Sequence, residues 1–434
     1  MIATADTAPL IEHLFRHQAG RITARLVRLL GPANFALAEE AVQEALVRAL
    51  QAWPYEGTPD NPGGWLFRVA HNIAIDAVRR DRTFAAKADA VVAELTRSAS
   101  QFSDPDAGEL KDDELRMIFM CCHPALARDA SVALSLKTVG GFSVREIARA
   151  FLADERAIAQ RLVRAKRQIR DEELTLEMPH RSDVGERLDA VLDVIYFMFN
   201  EGYWTQSGEA LIRQDLCFEA LRLGRLVASS PLATPRTHAL VALMALQAAR
   251  LPARVDELGE LVLLDNQDRA RWDDRLIALG FDHFDRSMAG DDVSEYHVQA
   301  AIAATHTRAT DAASADWPTI LSLYDQLLLK NPSPVVALNR TVAIAKVHGP
   351  AAALTALAPL ERDRHLRDYH LLLAVRGQLL LELGRPTQAG DAFRAALECE
   401  CSEPERRFLE RKLESCSERS ITNHQSSNRQ SSAP

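Results

Sequence analysis

The stretch GFSVREIARAFLADERAIAQRLVRAKRQIR, Gly141 to Arg170, decides how the rest of the chain is read. It holds eight Lys and Arg against three Asp and Glu, within a 434-residue chain of formal net charge −9. Ser143 and Glu146 have the Ser-x-x-Glu spacing of a capping box, which starts a short helix with Ile147, Ala148 and Phe151 inward. Leu152-Ala153-Asp154 makes a turn, and Asp154 is a good N-cap for a second helix. In that helix Ile158, Leu162, Ala165 and Ile169 recur at helical steps and form one apolar face. The opposite face collects Arg156, Gln160, Arg161, Arg164 and Arg167, with Lys166 at its flank.

Two helices joined by a tight turn, the second basic on its open face, have the pattern of a DNA-reading helix-turn-helix. Arg156 and Gln160 suit bidentate contacts to guanine and adenine. Arg164, Lys166, Arg167 and Arg170 suit phosphates, which set register and carry little sequence information. With Ser143 and Arg161 these residues form the first candidate set. A solvated basic face in an ordinary helical bundle has the same spacing.

Outward from this stretch, nearly every long segment has helical periodicity, strand-like alternation is scarce, and Ala, Leu, Arg and Glu dominate. The expected fold class is all-α, in more than one domain at this length. No apolar run is long enough to span a bilayer, and the N-terminus lacks a signal-peptide pattern, so a cytoplasmic protein is expected. The six cysteines are too sparse for a disulfide framework, and Cys121-Cys122-His123-Pro124 has no second ligand pair at metal spacing, so buried thiols are expected and no metal. Asn200-Glu201-Gly202-Tyr203-Trp204 resembles a catalytic loop only superficially, because Glu201 has no partner base. No acid/base or ligand constellation stands out, so neither an enzyme nor a cofactor is expected.

Residues 9–82 contain three helical patterns. One ends at Gly31-Pro32, a second has apolar Leu37, Ala41, Val42, Ala45, Leu46 and Ala49 on one face, and a third has a stripe of Leu66, Val69, Ile73 and Ala77 with Val78 beside it. Residues 83–110 read as a polar linker. Helical spacing returns over 111–175. Residues 182–290 read as a helical middle domain, 291–415 as helical repeats, and 416–434 as a disordered tail. Residues 176–434 hold 28 Lys and Arg against 36 Asp and Glu, so nearly all the excess negative charge lies there and that half is no DNA-binding surface.

The repeat reading rests on a 34-residue tetratricopeptide frame. Gly377, Ala389, Phe393 and Ala396 take its small and aromatic positions; Val342, Leu354 and Ala358 take the same slots one repeat earlier. Ile320, Tyr324, Leu327 and Pro332 fall in the matching second-helix slots before that.

The residues from Asp113 through the basic stretch resemble region 4 of bacterial sigma factors of the extracytoplasmic-function group. AEEAVQEALVRALQAWP and NPGGWLFRVAHNIAIDAVRRDR resemble region 2 of the same group. The resemblance implies that region 4 reads the −35 promoter element and that region 2 binds the polymerase clamp and opens the −10 element. It makes core RNA polymerase and promoter DNA the partners. It assigns Glu39, Glu40, Gln43, Glu44 and Arg48 to polymerase, and Asp60, Asn61, Arg68, His71, Asn72, Arg79 and Arg80 to the −10 strand. Trp65 is expected to pack in the core, and Asp76 to orient Asn72 or an arginine. The linker, with Asp104, Asp106 and Glu109, would run near the cationic polymerase channel. A C-terminal tetratricopeptide-type extension occurs in one branch of the group; it would modulate activity through an intramolecular, protein or peptide partner. The alternative is a stand-alone helix-turn-helix regulator with a helical-repeat sensor, which would need no polymerase.

Overall fold

A computed structural model describes residues 8–80, 107–150, 153–179, 183–204, 213–311, 313–364, 366–367 and 369–430. Among them the long elements are all helices, and the one β interaction is an isolated antiparallel bridge between Val255 and Leu261. The all-α expectation is met. No helix of the described residues is long and apolar enough to cross a membrane. Contacts divide the chain into two units, residues 1–198 and 199–434.

In the first unit α1 (Ala8–Leu30), α2 (Phe35–Glu56) and α3 (Pro62–Arg80) pack on one another. Phe35, Ala38, Ala41, Val42, Ala45, Leu46, Ala49 and Trp53 bury one face of α2, close to the expected stripe. The stripe on α3 is partly rotated from the expected one. Leu66 and Val78 are buried as expected, together with Phe67, Ala70, His71, Ala74 and Ile75, while Val69, Ile73 and Ala77 are half-buried. Alanines on the inner face let α2 approach, and Trp65 meets Trp53 edge-on at 5.4 Å, half-buried as a packing residue.

The same unit continues with α4 (Ala107–Cys121), α5 (Arg128–Thr138), α6 (Val144–Ala150) and α7 (Glu155–Asp171). Helix α4 starts inside the span expected to be linker; most of that linker, with Asp104 and Asp106, lies outside the described residues. Cys121 and Cys122 are buried, 3.4 Å from Thr138 Oγ1 and 3.5 Å from Ser135 Oγ. Burial pushes the Cys121 thiol far up and that of Cys122 to about 12, so both are packed, inert thiols.

Helix α1 also packs against α4 and α5. Arg25 Nη1 lies 3.0 Å from Asp113 Oδ2, Arg28 Nη1 2.8 Å from Asp113 Oδ1, and Arg21 Nε 3.3 Å from Glu114 Oε2. Both carboxylates are fully buried. Each is paired with a guanidinium, which offsets part of the cost of taking it out of water.

Helix α8 (Val184–Tyr203) carries the division between the two contact units. Its first turns belong to the first unit, because Arg187 Nη2 donates to the Phe119 carbonyl at 2.7 Å.

The second unit contains α9 (Gln214–Ala228), α10 (Pro235–Ala248), α11 (Asp274–Ser287), α12 (Glu295–Arg308), α13 (Trp317–Lys330), α14 (Pro334–His348), α15 (Pro350–Leu357), α16 (His370–Glu382), α17 (Pro386–Glu398) and α18 (Glu403–Gln430). Helices α10 and α11 cross closely at Gly280, where a Cβ would stand 2.6 Å from Leu246 Cγ. They share a buried histidine pair, with His238 Nδ1 2.9 Å from His283 Nδ1. The Arg254 guanidinium carbon lies 3.9 Å from the Tyr203 ring centroid and 5.1 Å from that of Trp204, so the Tyr-Trp dipeptide packs. Consecutive pairs α13/α14, α14/α15, α16/α17 and α17/α18 stack through two apolar clusters. Gly377 meets Phe393, as the repeat frame requires. Val342 does not fit that frame: it is exposed, and its partner helix α15 has only eight residues. Helix α18 runs on to Gln430.

Candidate nucleic-acid interface

Two local devices aim α7. The Asp154 carboxylate accepts from the N–H groups of Arg156 at 2.8 Å and Ala157 at 3.3 Å. The capping box before it is formed: Glu146 N–H donates to Ser143 Oγ at 3.1 Å, and Ser143 N–H donates to Glu146 Oε2 at 2.7 Å. The N–H and the hydroxyl oxygen of Ser143 both serve this cap. Ile147, Ala148, Ile158, Leu162, Ala165 and Ile169 are buried as expected; Phe151 lies outside the described residues.

The opposite face of α7 is open. Arg156, Gln160 and Arg164 are exposed, with no ion pair or side-chain hydrogen bond among the described residues. Spaced by four residues, they rise one above another along the helix. Arg167 Nε and Arg170 Nη2 both lie 3.1 Å from Asp171, holding that carboxyl below its usual range. Val163 stands exposed beside them, the one large apolar side chain so placed on α7.

Two of the expected residues sit elsewhere. Arg161 turns toward Asp129 at the start of α5, 3.9 Å away. Lys166 is only 21% exposed: its ammonium pairs with the Glu39 carboxylate and lies 5.5 Å from the Phe35 ring centroid. Both are consequences of helical phase, since 161 and 166 fall on the two flanks of the face centred on 160 and 164.

On α3, Arg68, Asn72, Asp76, Arg79 and Arg80 are exposed and nearly in line. Arg80 Nε donates to the Asp76 backbone carbonyl at 3.0 Å, not to its carboxylate as expected. Asp60 is exposed; Asn61 Oδ1 accepts from Gly64 N–H at 2.9 Å and so caps α3. His71 is 2% exposed, with its ring 5.7 Å from that of Phe67. That corrects its assignment to the −10 strand: one residue before Asn72, it faces the core.

On α2 the expected polymerase set divides. Glu40, Gln43, Glu44 and Arg48 are exposed, with Glu44 and Arg48 paired at 3.0 Å, while Glu39 is turned toward α7. Sequence reading missed Val47, Leu50 and Tyr55, exposed large apolar residues on the outer side of the same helix. The signal was present: Val47 and Leu50 fall outside the stripe that defines the buried face. Among the described residues no group of three or more His, Cys, Asp or Glu is arranged to hold a metal ion.

Comparison with known proteins gives three family matches. Residues 14–84 match Sigma-70 region 2, residues 116–169 match Sigma-70, region 4, and residues 187–288 match a family of unknown function, DUF6596. A protein of Rhizobium meliloti (strain 1021), Uncharacterized protein R00370, is 41% identical over 383 residues, 88% of this chain and 90% of that protein. No solved structure matches.

Proposed function

We propose, from the premise that this chain belongs to the sigma-70 family as a factor of extracytoplasmic-function type with a C-terminal helical extension, that it binds core RNA polymerase in the cytoplasm and directs promoter-specific initiation. The work is recognition and strand capture, and polymerase carries out the chemistry.

One observation carries the reading: two separate helices of one chain each present an open row of duplex- or strand-binding side chains. On α7 the row is Arg156, Gln160 and Arg164, with Arg167 beside it paired to Asp171. Arg156 and Gln160, nearest the capped N-terminus, read base edges of the −35 element in the major groove. Arg164 and Arg167 hold phosphates. On α3 the row is Arg68, Asn72, Arg79 and Arg80. There Asn72 bonds an unstacked base edge of the −10 strand, and the arginines hold its backbone. Carboxylates would repel DNA on the outer face of α2, so its mix of Glu40, Glu44, Arg48, Val47 and Leu50 suits a protein partner, the polymerase clamp. The acidic C-terminal helices modulate this activity.

The test is transcription in vitro by core polymerase from a promoter with intact −35 and −10 elements. The full chain supports initiation and Arg156→Ala loses −35 dependence. Tight duplex binding with no association with core polymerase would replace this reading by that of a stand-alone regulator.

A further inference from the structure

The second unit gathers positive charge without a counter-ion. Arg250 and Arg254 stand at the two ends of the short turn Leu251–Ala253. Asp273 N–H donates to the Ala249 carbonyl at 2.9 Å, which lays the Arg269–Trp272 segment beside them. The guanidinium carbons of Arg269 and Arg250 lie 4.5 and 5.7 Å from the Trp272 ring centroid. Arg254 is 3% exposed; besides its contacts with the Tyr203 and Trp204 rings it makes one bond, from Nη1 to the Tyr203 carbonyl. Tyr203, Trp204 and all three arginines lie within residues 187–288, the segment that matches a family of unknown function.

Among the described residues no carboxylate is within ion-pair distance of Arg250, Arg254 or Arg269. The carboxylates whose charge reaches Arg254 and Arg269 are held by other groups. Lys346 Nζ holds Asp265 at 2.6 Å, Ser314 N–H holds Asp311 at 2.7 Å, and His370 Nε2 and Ser402 Oγ hold Glu405 at 2.9 and 2.6 Å. Burial lowers the values of Arg254 and Arg269, and the Arg250 charge lowers both further. Stacking on rings offsets part of the dehydration of a guanidinium and none of the repulsion between like charges.

The unused donors are specific. Arg250 spends Nε on Gln267 Oε1 at 3.3 Å, which leaves both Nη groups. Arg269 spends Nη1 on the His306 and Ala309 carbonyls, each at 2.8 Å, which fixes the side chain and leaves Nε and Nη2. Trp272 Nε1, a donor only, is buried with no acceptor. Guanidinium forks beside an indole N–H complement the oxygens of a carboxylate or phosphate. Arg250 and Arg269 are half-buried, so an ion reaches them without the fold opening.

We infer that Arg250, Arg269 and Trp272, with Arg254 behind them, form a binding site for a small doubly charged oxyanion, a phosphate monoester or a dicarboxylate. Three uncompensated cations favour two negative charges over one, and several spare N–H groups favour oxygens over a halide.

Thermal melting of the full chain tests this with inorganic phosphate and with succinate, each against sodium chloride of equal ionic strength. One or both raise the melting temperature saturably, by about 5–10 °C at about a hundredfold excess over the dissociation constant. Phosphate alone identifies a phosphate ester and succinate alone a dicarboxylate. Arg250→Gln weakens the effective anion at least about tenfold. Trp272→Phe, which keeps the ring and loses only the N–H, weakens it about tenfold and decides the matter should the first variant fail to fold. The double variant Arg156→Ala with Arg164→Ala, on the exposed face of α7, leaves the effect intact. No stabilisation beyond that of sodium chloride overturns the site. So does an effect that survives in Trp272→Phe at full strength or vanishes in the α7 variant. The site lies wholly in the second unit and is tested without polymerase or DNA, so its failure leaves the function proposed above standing.

Discussion

Gly377 lies directly beneath the ring of Phe393, where a Cβ would stand 2.7 Å from Phe393 Cε1 and 2.8 Å from Cζ. The glycine is what allows α16 and α17 to pack at this distance. Gly377→Ala therefore destabilises the second unit by about 1–3 kcal/mol through overpacking, even though alanine is the better helix former. Thermal denaturation shows the loss, and adding Phe393→Leu recovers most of it.

Arg156 and Gln160 are free to reach base edges. Arg156→Ala costs about 1–3 kcal/mol of discrimination at one base pair of the −35 element, and Gln160→Ala the same at another. Arg164→Ala weakens all sequences alike. Competition transcription with singly substituted promoters separates the two patterns.

The Asp154 cap is worth about 1 kcal/mol to α7. Asp154→Ala lowers promoter use by about fivefold at a fixed polymerase concentration, and Asp154→Asn, which keeps an acceptor, restores it. If the alanine variant equals the parent, the cap does not position the helix.

Burial and the neighbouring His238 depress the His283 imidazole to about 4. The unfolded chain, with an ordinary histidine value near 6.5, then binds more protons than the folded one between those limits. Stability of the second unit is full above about pH 6.5 and falls as the pH drops toward about 4. His283→Gln flattens that slope in melting curves taken from pH 7.5 to 4.5.

Cys399 and Cys401 are half-buried, whereas Cys121, Cys122, Cys217 and Cys416 are buried. Burial raises the Cys401 thiol, and it pushes those of Cys122 and Cys217 to about 12. Iodoacetamide at pH 8 labels Cys399 and Cys401 first in the folded chain, and the other four only after denaturation. Peptide mass mapping checks the order.

Helix α7 was legible because everything that defines it is local: Asp154 before it, four apolar residues in phase, and basic residues between them. The phase of α3 was only partly legible because Ala70, Ala74 and His71 fill the middle of an inner face that Leu66, Phe67, Ile75 and Val78 complete, while Val69 and Ile73 stand at its margin. For the same reason His71 looked like a strand-binding residue. The pairing of Arg25 with Asp113 joins positions 88 apart, and no periodic pattern announces a partner at that range. Glu39 looked equivalent to Glu40 and Glu44 because composition does not show which neighbour will claim one side of a helix.

Asp171 sets two of the arginines on α7 apart from Arg156 and Arg164. It serves Arg167 and Arg170 as a resident anion, so a phosphate that takes either guanidinium must evict a carboxylate instead of bulk chloride. The displaced carboxylate then draws a cation back from solution and cancels part of the ion release that accompanies DNA binding. The ionic-strength dependence of promoter engagement is therefore shallower than the number of arginines on the helix suggests, and Asp171→Asn steepens it.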